Sequence, residues 1–338
     1  MKNTERLGWI DTVKGIGIIC VMFGHLGIEI VDRIVFTFHM PLFFLISGYF
    51  LNVNLRLWEF VKEKAKRLLI PYYVTGSIIC LLLILADIIR RMWSSIISDI
   101  GSMLVAIIYG SSFSISQRIQ GIGAIWFLWA LFWSVTIVKI VDKHRWPLGW
   151  IGCMWVISYI SGKYIWLPLS IQPAMCASVF VYCGYKLRGT DIEQLIKNRM
   201  LFSMAISTFI LEIFLGIRVD MANNTYIMGI ISVVGALGSV WFIFCIAYII
   251  DKKNFIINKY FKVIGKFSLY MLCIHQIEMR VFPWSIVKTV LQALSLGNYF
   301  YFVVIFTRII GCSLCMVCFL KIKSMIVQKA DRGLISDK

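Results

Sequence analysis

Ten apolar stretches, each close to the length that crosses a lipid bilayer, run through this 338-residue chain. They lie at about 12–31, 34–52, 68–89, 123–141, 146–161, 167–185, 200–217, 226–250, 265–284 and 300–320. A spanning helix needs roughly 20 mostly apolar residues, and backbone groups inside lipid must bond within their own segment. The stretches therefore predict an all-α integral membrane protein of about ten transmembrane helices. Composition agrees: 15% of residues are charged, against roughly 25% in a soluble domain. The stretch opening at Trp146 is the shortest. The segment between Arg90 and Ile122 is left out, because its apolar part, Ile96 to Tyr109, has the length of an interfacial or re-entrant piece.

The basic residues orient the helices. Lys and Arg number 34 against 17 acidic residues, a net charge of +17. With the N-terminus inside, 22 of the 34 fall in cytoplasmic segments and 7 in external ones. Cytoplasmic loops carry the excess of Lys and Arg, so both ends are expected in the cytoplasm. The same rule explains the charge without nucleic acid, and no nucleic-acid partner is expected. The first stretch lacks a small-residue cleavage pattern and is read as a retained helix. Residues 1–320 are expected to form one transmembrane domain and 321–338 a short basic cytoplasmic tail. No internal repeat is visible. The ten cysteines are scattered through apolar runs. Cys312, Cys315 and Cys318 recur every three residues near one face of the last helix. With no His or acidic residue in that run, they read as packing residues, and no metal is expected.

An ionisable group inside a membrane costs about 2.5–3.5 kcal/mol on insertion scales, so each one needs a reason. The first stretch carries Asp11, Lys14, His25 and Glu29. Eleven residues make about three helical turns, which puts Lys14 and His25 on nearly one face, about 16 Å apart along the axis. Asp11 falls one turn below Lys14, and Glu29 one turn above His25. The face reads as a polar seam, and an imidazole beside a carboxylate in low dielectric suits a general base. His39 opens the second stretch, which also holds Pro41 and Ser47-Gly48. A basic loop follows, with Lys62, Lys64, Lys66 and Arg67. It fits either anionic lipid or a phosphorylated cytosolic ligand. Trp126 opens the run IWFLWALFW and reads as part of an interfacial aromatic belt. Glu212, His275, Glu278, Arg280 and Arg308 either line a shared cavity or pair structurally.

Taken together, these residues resemble the membrane-bound acyltransferase-3 family. Lys14, ten residues, then His25 is similar to its first-helix signature. Phe38 to Phe50, FHMPLFFLISGYF, is similar to its next block and, with His39, to the fucose 4-O-acetylase-like branch. KRLLIPYY, WFLWALF and GKFSLYMLCIH, ending at His275, follow in type and order. The resemblance implies transfer of an acyl group, usually acetyl, from cytosolic acyl-CoA to a sugar hydroxyl of an envelope glycan. His25 matches the family's catalytic His. Lys14 stands where Arg is common, and Lys64-x-x-Arg67 stands where Arg-x-x-Arg is common. Both changes keep the charge and lose a bidentate fork.

The expected function is O-acyl transfer from acetyl-CoA to an envelope glycan or a lipid-linked sugar, in a bacterial plasma membrane. His25 is the expected base, ordered by Asp11 and Lys14, with His39 assisting. Lys64 and Arg67 are expected on the CoA phosphates, and Glu29, Ser47, Trp126 and His275 at the acceptor. A transporter or flippase for a lipid-linked sugar is the rival reading, and a non-catalytic membrane partner the third. Residue chemistry leaves acceptor, acyl chain and oligomeric state open.

Overall fold

The structure, a computed structural model, describes residues 8–94, 96–117, 119–253 and 256–336, with side chains up to residue 325. Lys2, Arg6, Arg118 and Lys338 of the charge pattern lie outside the described residues, as do the side chains of Lys329 and Arg332. Fifteen α-helices account for most of the described chain. They are α1 (Gly8–Gly24), α2 (Glu29–Val35), α3 (His39–Tyr49), α4 (Leu57–Ile89), α5 (Ile96–Tyr109), α6 (Trp126–Val141), α7 (Pro147–Ser161) and α8 (Ile171–Leu187). After these come α9 (Ile192–Ile196), α10 (Arg199–Leu215), α11 (Ile230–Lys252), α12 (Ile256–Lys266), α13 (Ser268–Val281), α14 (Trp284–Ala293) and α15 (Phe300–Ser336). A two-residue hairpin, β1 (Val219–Asp220) with β2 (Thr225–Tyr226), is the sheet found among the described residues.

Four segments are long and apolar enough to cross a membrane: Glu29–Tyr49, Leu57–Ile89, Ile230–Lys252 and Gly297–Met325. Three shorter apolar helices, Ile96–Tyr109, Trp126–Val141 and Pro147–Ser161, accompany them. α5, at 14 residues, is the short piece expected between the third and fourth stretches.

The last helix runs on to Ser336 instead of ending near 320, and two boundaries closer to the site also differ from the sequence reading. The first stretch does not stay helical to residue 31. α1 stops at Gly24, Gly27 takes a left-handed φ of +68°, and α2 starts afresh at Glu29. Glycine adopts that conformation without steric cost, so the chain turns there. The basic segment expected as a loop is instead the beginning of α4. Lys62 to Arg67 has no breaker ahead of Pro71, and Lys and Glu favour helix. At 33 residues α4 is about 50 Å long, well beyond a hydrocarbon core of about 30 Å.

Lipid offers no hydrophobic drive between helices, so small residues and close packing hold them together. Gly48 on α3 and Gly184 on α8 show this directly: a Cβ on either would fall on the other helix's backbone, at the carbonyl oxygens of Val181 and Leu45. Gly15 on α1 and Gly265 on α12 form a second such crossing, against the carbonyl oxygens of Phe261 and Asp11. Polar bonds reinforce it. Thr12 Oγ1 donates to Asn258 Oδ1 at 2.7 Å, and Asn258 Nδ2 donates to Asp251 Oδ1 at 2.9 Å, joining α1, α11 and α12. These two crossings flank the space in which the charged residues gather.

Candidate active site

A cavity of about 520 Å³ lies between α1, α3, α4, α6 and the α12–α13 junction. Asp11, Lys14, Ser47, Lys64 and Arg67 all line it, so five residues singled out from sequence meet in one place. Lys266 joins them and was not anticipated. Its signal was the motif GKFSLY, in which the Gly that permits the α1–α12 crossing precedes the lysine directly.

Lys14 Nζ lies 3.6 Å from Asp11 Oδ1 and 5.5 Å from the Phe50 ring centroid. Lys64 lies 3.3 Å from Glu63 and 5.3 Å from the Phe60 ring. Spacing of three along α4 puts Lys64 and Arg67 on neighbouring faces, which is why both reach the cavity. Two further cations hold the wall that follows α3. Arg188 Nη1 donates to the Leu51 carbonyl at 2.6 Å, and Lys139 Nζ donates to that of Val53. Four cations and one carboxylate in one cavity favour an anionic occupant. Farther along, the lining turns apolar at Ile18, Val21, Phe127, Leu131 and Leu272.

Val21 and Leu272 lie one helical turn before His25 and His275, the second part of the site. His25 sits in the turn just after α1, exposed, with its ring centroid 5.4 Å from that of His275 and tilted by 47°. His275, on α13, is fully buried. Its Nδ1 lies 3.0 Å from Glu278 Oε2, and its Nε2 is buried without a hydrogen-bond partner. A carboxylate only accepts, so in the neutral ring Nδ1 carries the proton and Nε2 is a bare acceptor. Glu278 also receives the indole N–H of Trp284, and its Oε2 lies 3.0 Å from Arg308 Nε. Arg308 Nη1 reaches the carbonyl oxygens of Met22 at 3.2 Å and His25 at 3.4 Å. A cation there satisfies acceptors that the end of a helix leaves open.

Most of the other candidates are placed elsewhere, and Ser47, in the cavity wall, is tied to its own helix. Glu29 opens α2 and pairs with Arg33 at 2.8 Å, so the carboxylate in the histidine cluster is Glu278 and not Glu29. The turn at Gly27 is what parts Glu29 from the seam. His39 is buried, with Nδ1 2.8 Å from the Val35 carbonyl and its ring 4.8 Å from that of Phe36. Ser47 donates to the Phe43 carbonyl at 2.7 Å. Trp126 is only 3% exposed, which overturns its reading as a lipid-facing belt residue. It opens α6 inside the helix packing, behind a loop held by α13: Gln276 Oε1 accepts from Ala124 N at 2.6 Å, and Arg280 donates to the Gly121 carbonyl.

The cysteine run also resolves differently. Cys312 is buried, whereas Cys315 and Cys318 are exposed. Steps of three residues drift by about 60° around a helix, enough to carry the run from the packed side to the outside. His275, Glu278 and Cys312 bring one potential ligand atom each within 4.8 Å of one another. Arg308 already contacts the Glu278 oxygen that faces His275, so a metal cation there would meet a guanidinium charge.

The family model for the acyltransferase domain (acyltransferase-3) matches residues 7–318. The chain belongs to the acyltransferase-3 family. Two curated relatives are nodulation proteins NolL. The one from Sinorhizobium fredii (strain NBRC 101917 / NGR234) is 28% identical over 218 residues, covering 59% of this chain and 53% of the relative. The one from Mesorhizobium japonicum (strain LMG 29417 / CECT 9101 / MAFF 303099) is 27% identical over 190 residues, covering 51% and 45%. This acyltransferase-3 chain thus spans about half the length of the curated relatives it matches. No solved structure matches it.

Proposed function

We propose that this protein transfers an acetyl group from cytosolic acetyl-CoA to a hydroxyl of an envelope carbohydrate or lipid-linked sugar. The observation that carries the reading is the cavity itself. It has Lys14, Lys64, Arg67 and Lys266 in its wall and an apolar lining that includes Val21, one turn before His25 on the chain. Coenzyme A has the matching form, with phosphates at one end and a slender uncharged arm at the other. α1 is helical from Lys14 to Gly24, a rise of about 15 Å, so the two halves of the site are separated by the length of such an arm.

In this reading ten spans leave both termini in the cytoplasm of a bacterial plasma membrane, with the cations on the cytoplasmic side. His25 takes the proton of the acceptor hydroxyl as its oxygen attacks the thioester carbonyl. The new C–O bond forms, the C–S bond breaks, and the proton returns to the departing CoA thiolate. The carbohydrate acceptor rests on the family resemblance, within which the fucose 4-O-acetylase-like branch fits best.

The test is the mass of envelope glycans from a deletion strain complemented with wild-type protein or with His25→Ala. An acetyl increment restored by wild type alone supports the reading. An increment unchanged in the deletion strain overturns it. A transporter would leave acetyl-CoA unconsumed, so CoA release from the purified protein separates the two classes.

A further inference from the structure

Glu278 and Arg308 each hold one member of the histidine pair. Glu278 takes Nδ1 of His275, and Arg308 takes the main-chain carbonyl of His25, while the two charged groups contact each other at 3.0 Å. Trp284 supplies the third partner of the carboxylate. The end of α1, α13, α14 and α15 therefore converge on a single arrangement, and the one acceptor of the histidine pair that it leaves open is His275 Nε2. His275 Nε2 is completely buried, carries no proton when Nδ1 donates to Glu278, and has no hydrogen-bond donor. A buried acceptor without a donor is rare in a folded protein. The neighbouring ring is that of His25, with the two centroids 5.4 Å apart.

We infer that His275, set by Glu278, is a positioning residue for His25: its Nε2 accepts the His25 ring N–H and so leaves the other His25 nitrogen bare toward the acceptor hydroxyl. The inference rests on His25 acting as the base. Neutral imidazole carries one N–H and one lone pair, and which nitrogen has which is decided by the partner of the other. Without a partner, His25 would divide its time between two tautomers and many ring angles. With one, the lone pair points one way. When His25 accepts the hydroxyl proton, the imidazolium keeps its N–H on His275, and Glu278 offsets the added charge through the second ring. The proton later leaves from the same His25 nitrogen to the CoA thiolate, so His275 gains and loses nothing over a cycle.

A structural role for this network would predict something else. Arg308 and Glu278 alone join α1, α13 and α15, and an ion pair within the membrane needs no imidazole chain to do so. The distinguishing atom is thus His275 Nε2. His275→Asn places a polar group near the ring's Nδ1 position and can keep the bond to Glu278 while removing the Nε2 position. His275→Gln reaches the Nε2 position instead.

The test uses the full chain, purified in lipid nanodiscs, with acetyl-CoA as donor and water as acceptor, and reads CoA release. His275→Ala and His275→Asn are expected to lower kcat by about 100-fold, the lower end of what a positioned general base contributes. KM for acetyl-CoA should stay within about two-fold, because the cationic cavity is untouched. His275→Gln should recover about ten-fold of the loss. A second arm needs no turnover: carbethoxylation of His25, followed by peptide mass spectrometry, should slow several-fold in His275→Asn. Wild-type kcat and wild-type labelling in His275→Asn would overturn the inference, as would a loss confined to KM. If wild-type protein consumes no acetyl-CoA, the acyl-transfer reading fails on its own, and the labelling arm still decides whether His275 governs His25.

Discussion

The imidazole of His25 lies 5.4 Å from that of His275, although 250 positions separate them in the chain. The pair joins the end of α1 to α13, the helices that give Val21 and Leu272 to the apolar lining of the cationic cavity. The consequences are measurable.

His25→Ala should lower acetyl-CoA-dependent transfer by about 10²–10⁴-fold, the range for removal of a positioned general base. Because the residue lies in a turn and not within a helix, stability should change little. Initial rates beside thermal unfolding of the detergent-solubilised protein check both statements. A variant that keeps its rate removes His25 from the mechanism.

Lys64, Arg67 and Lys266 should govern donor binding and not chemistry. A hydrogen bond to a charged group contributes about 1.5–3 kcal/mol, so Lys266→Ala should raise KM for acetyl-CoA by about ten-fold or more, with kcat nearly constant. Dephospho-CoA thioesters should show a smaller penalty in whichever variant lacks the contact to the 3′-phosphate. Steady-state kinetics with both donors measures this.

Lys14→Arg should retain activity, and Lys14→Met should lose donor affinity. Arginine keeps the charge and adds a planar fork for a phosphate or carboxylate. Asp11, 3.6 Å from the lysine, remains its neighbour in the first variant only. Titration of CoA binding by calorimetry compares the three proteins.

Gly184→Ala should destabilise the protein by about 1–3 kcal/mol, because its Cβ would collide with the Leu45 carbonyl and overpacking forces the helices apart. Gly189→Ala, where a Cβ meets nothing within 4 Å, should be close to neutral. Unfolding of both variants in the same detergent gives the difference.

Asn258→Leu should cost about 1–3 kcal/mol, because Thr12 and Asp251 would each lose a partner in the packed region. The loss should appear in thermal unfolding, and α1 should become more open to protease at its start.

Helix-local features were the legible ones. Asp11 and Lys14 fall one turn apart on a helix whatever surrounds it, and both line the cavity. Lys64 and Arg67 reached the same cavity through spacing alone, even though their segment is the first part of α4 and not a loop. Glu29 failed for an equally local reason: Gly27 turned the chain between it and His25. Trp126 failed for a non-local one. An aromatic run looks the same at a membrane interface as in a helix core, and only the neighbours of α6 decide which it is.

What this chain's residues determined by themselves is a membrane-embedded helical protein, the family it belongs to, and the charged positions that repeat at helical spacing. Those are properties of segments, governed by apolar length, turn chemistry and the 3.6-residue period. Tertiary structure alone decided that His275 stands beside His25, that Glu278 and not Glu29 supplies the carboxylate, and that Lys266 completes the cationic cavity. Such pairings depend on which helix faces which. Close crossings at Gly15, Gly48, Gly184 and Gly265 set those facings, and no period along one segment encodes them.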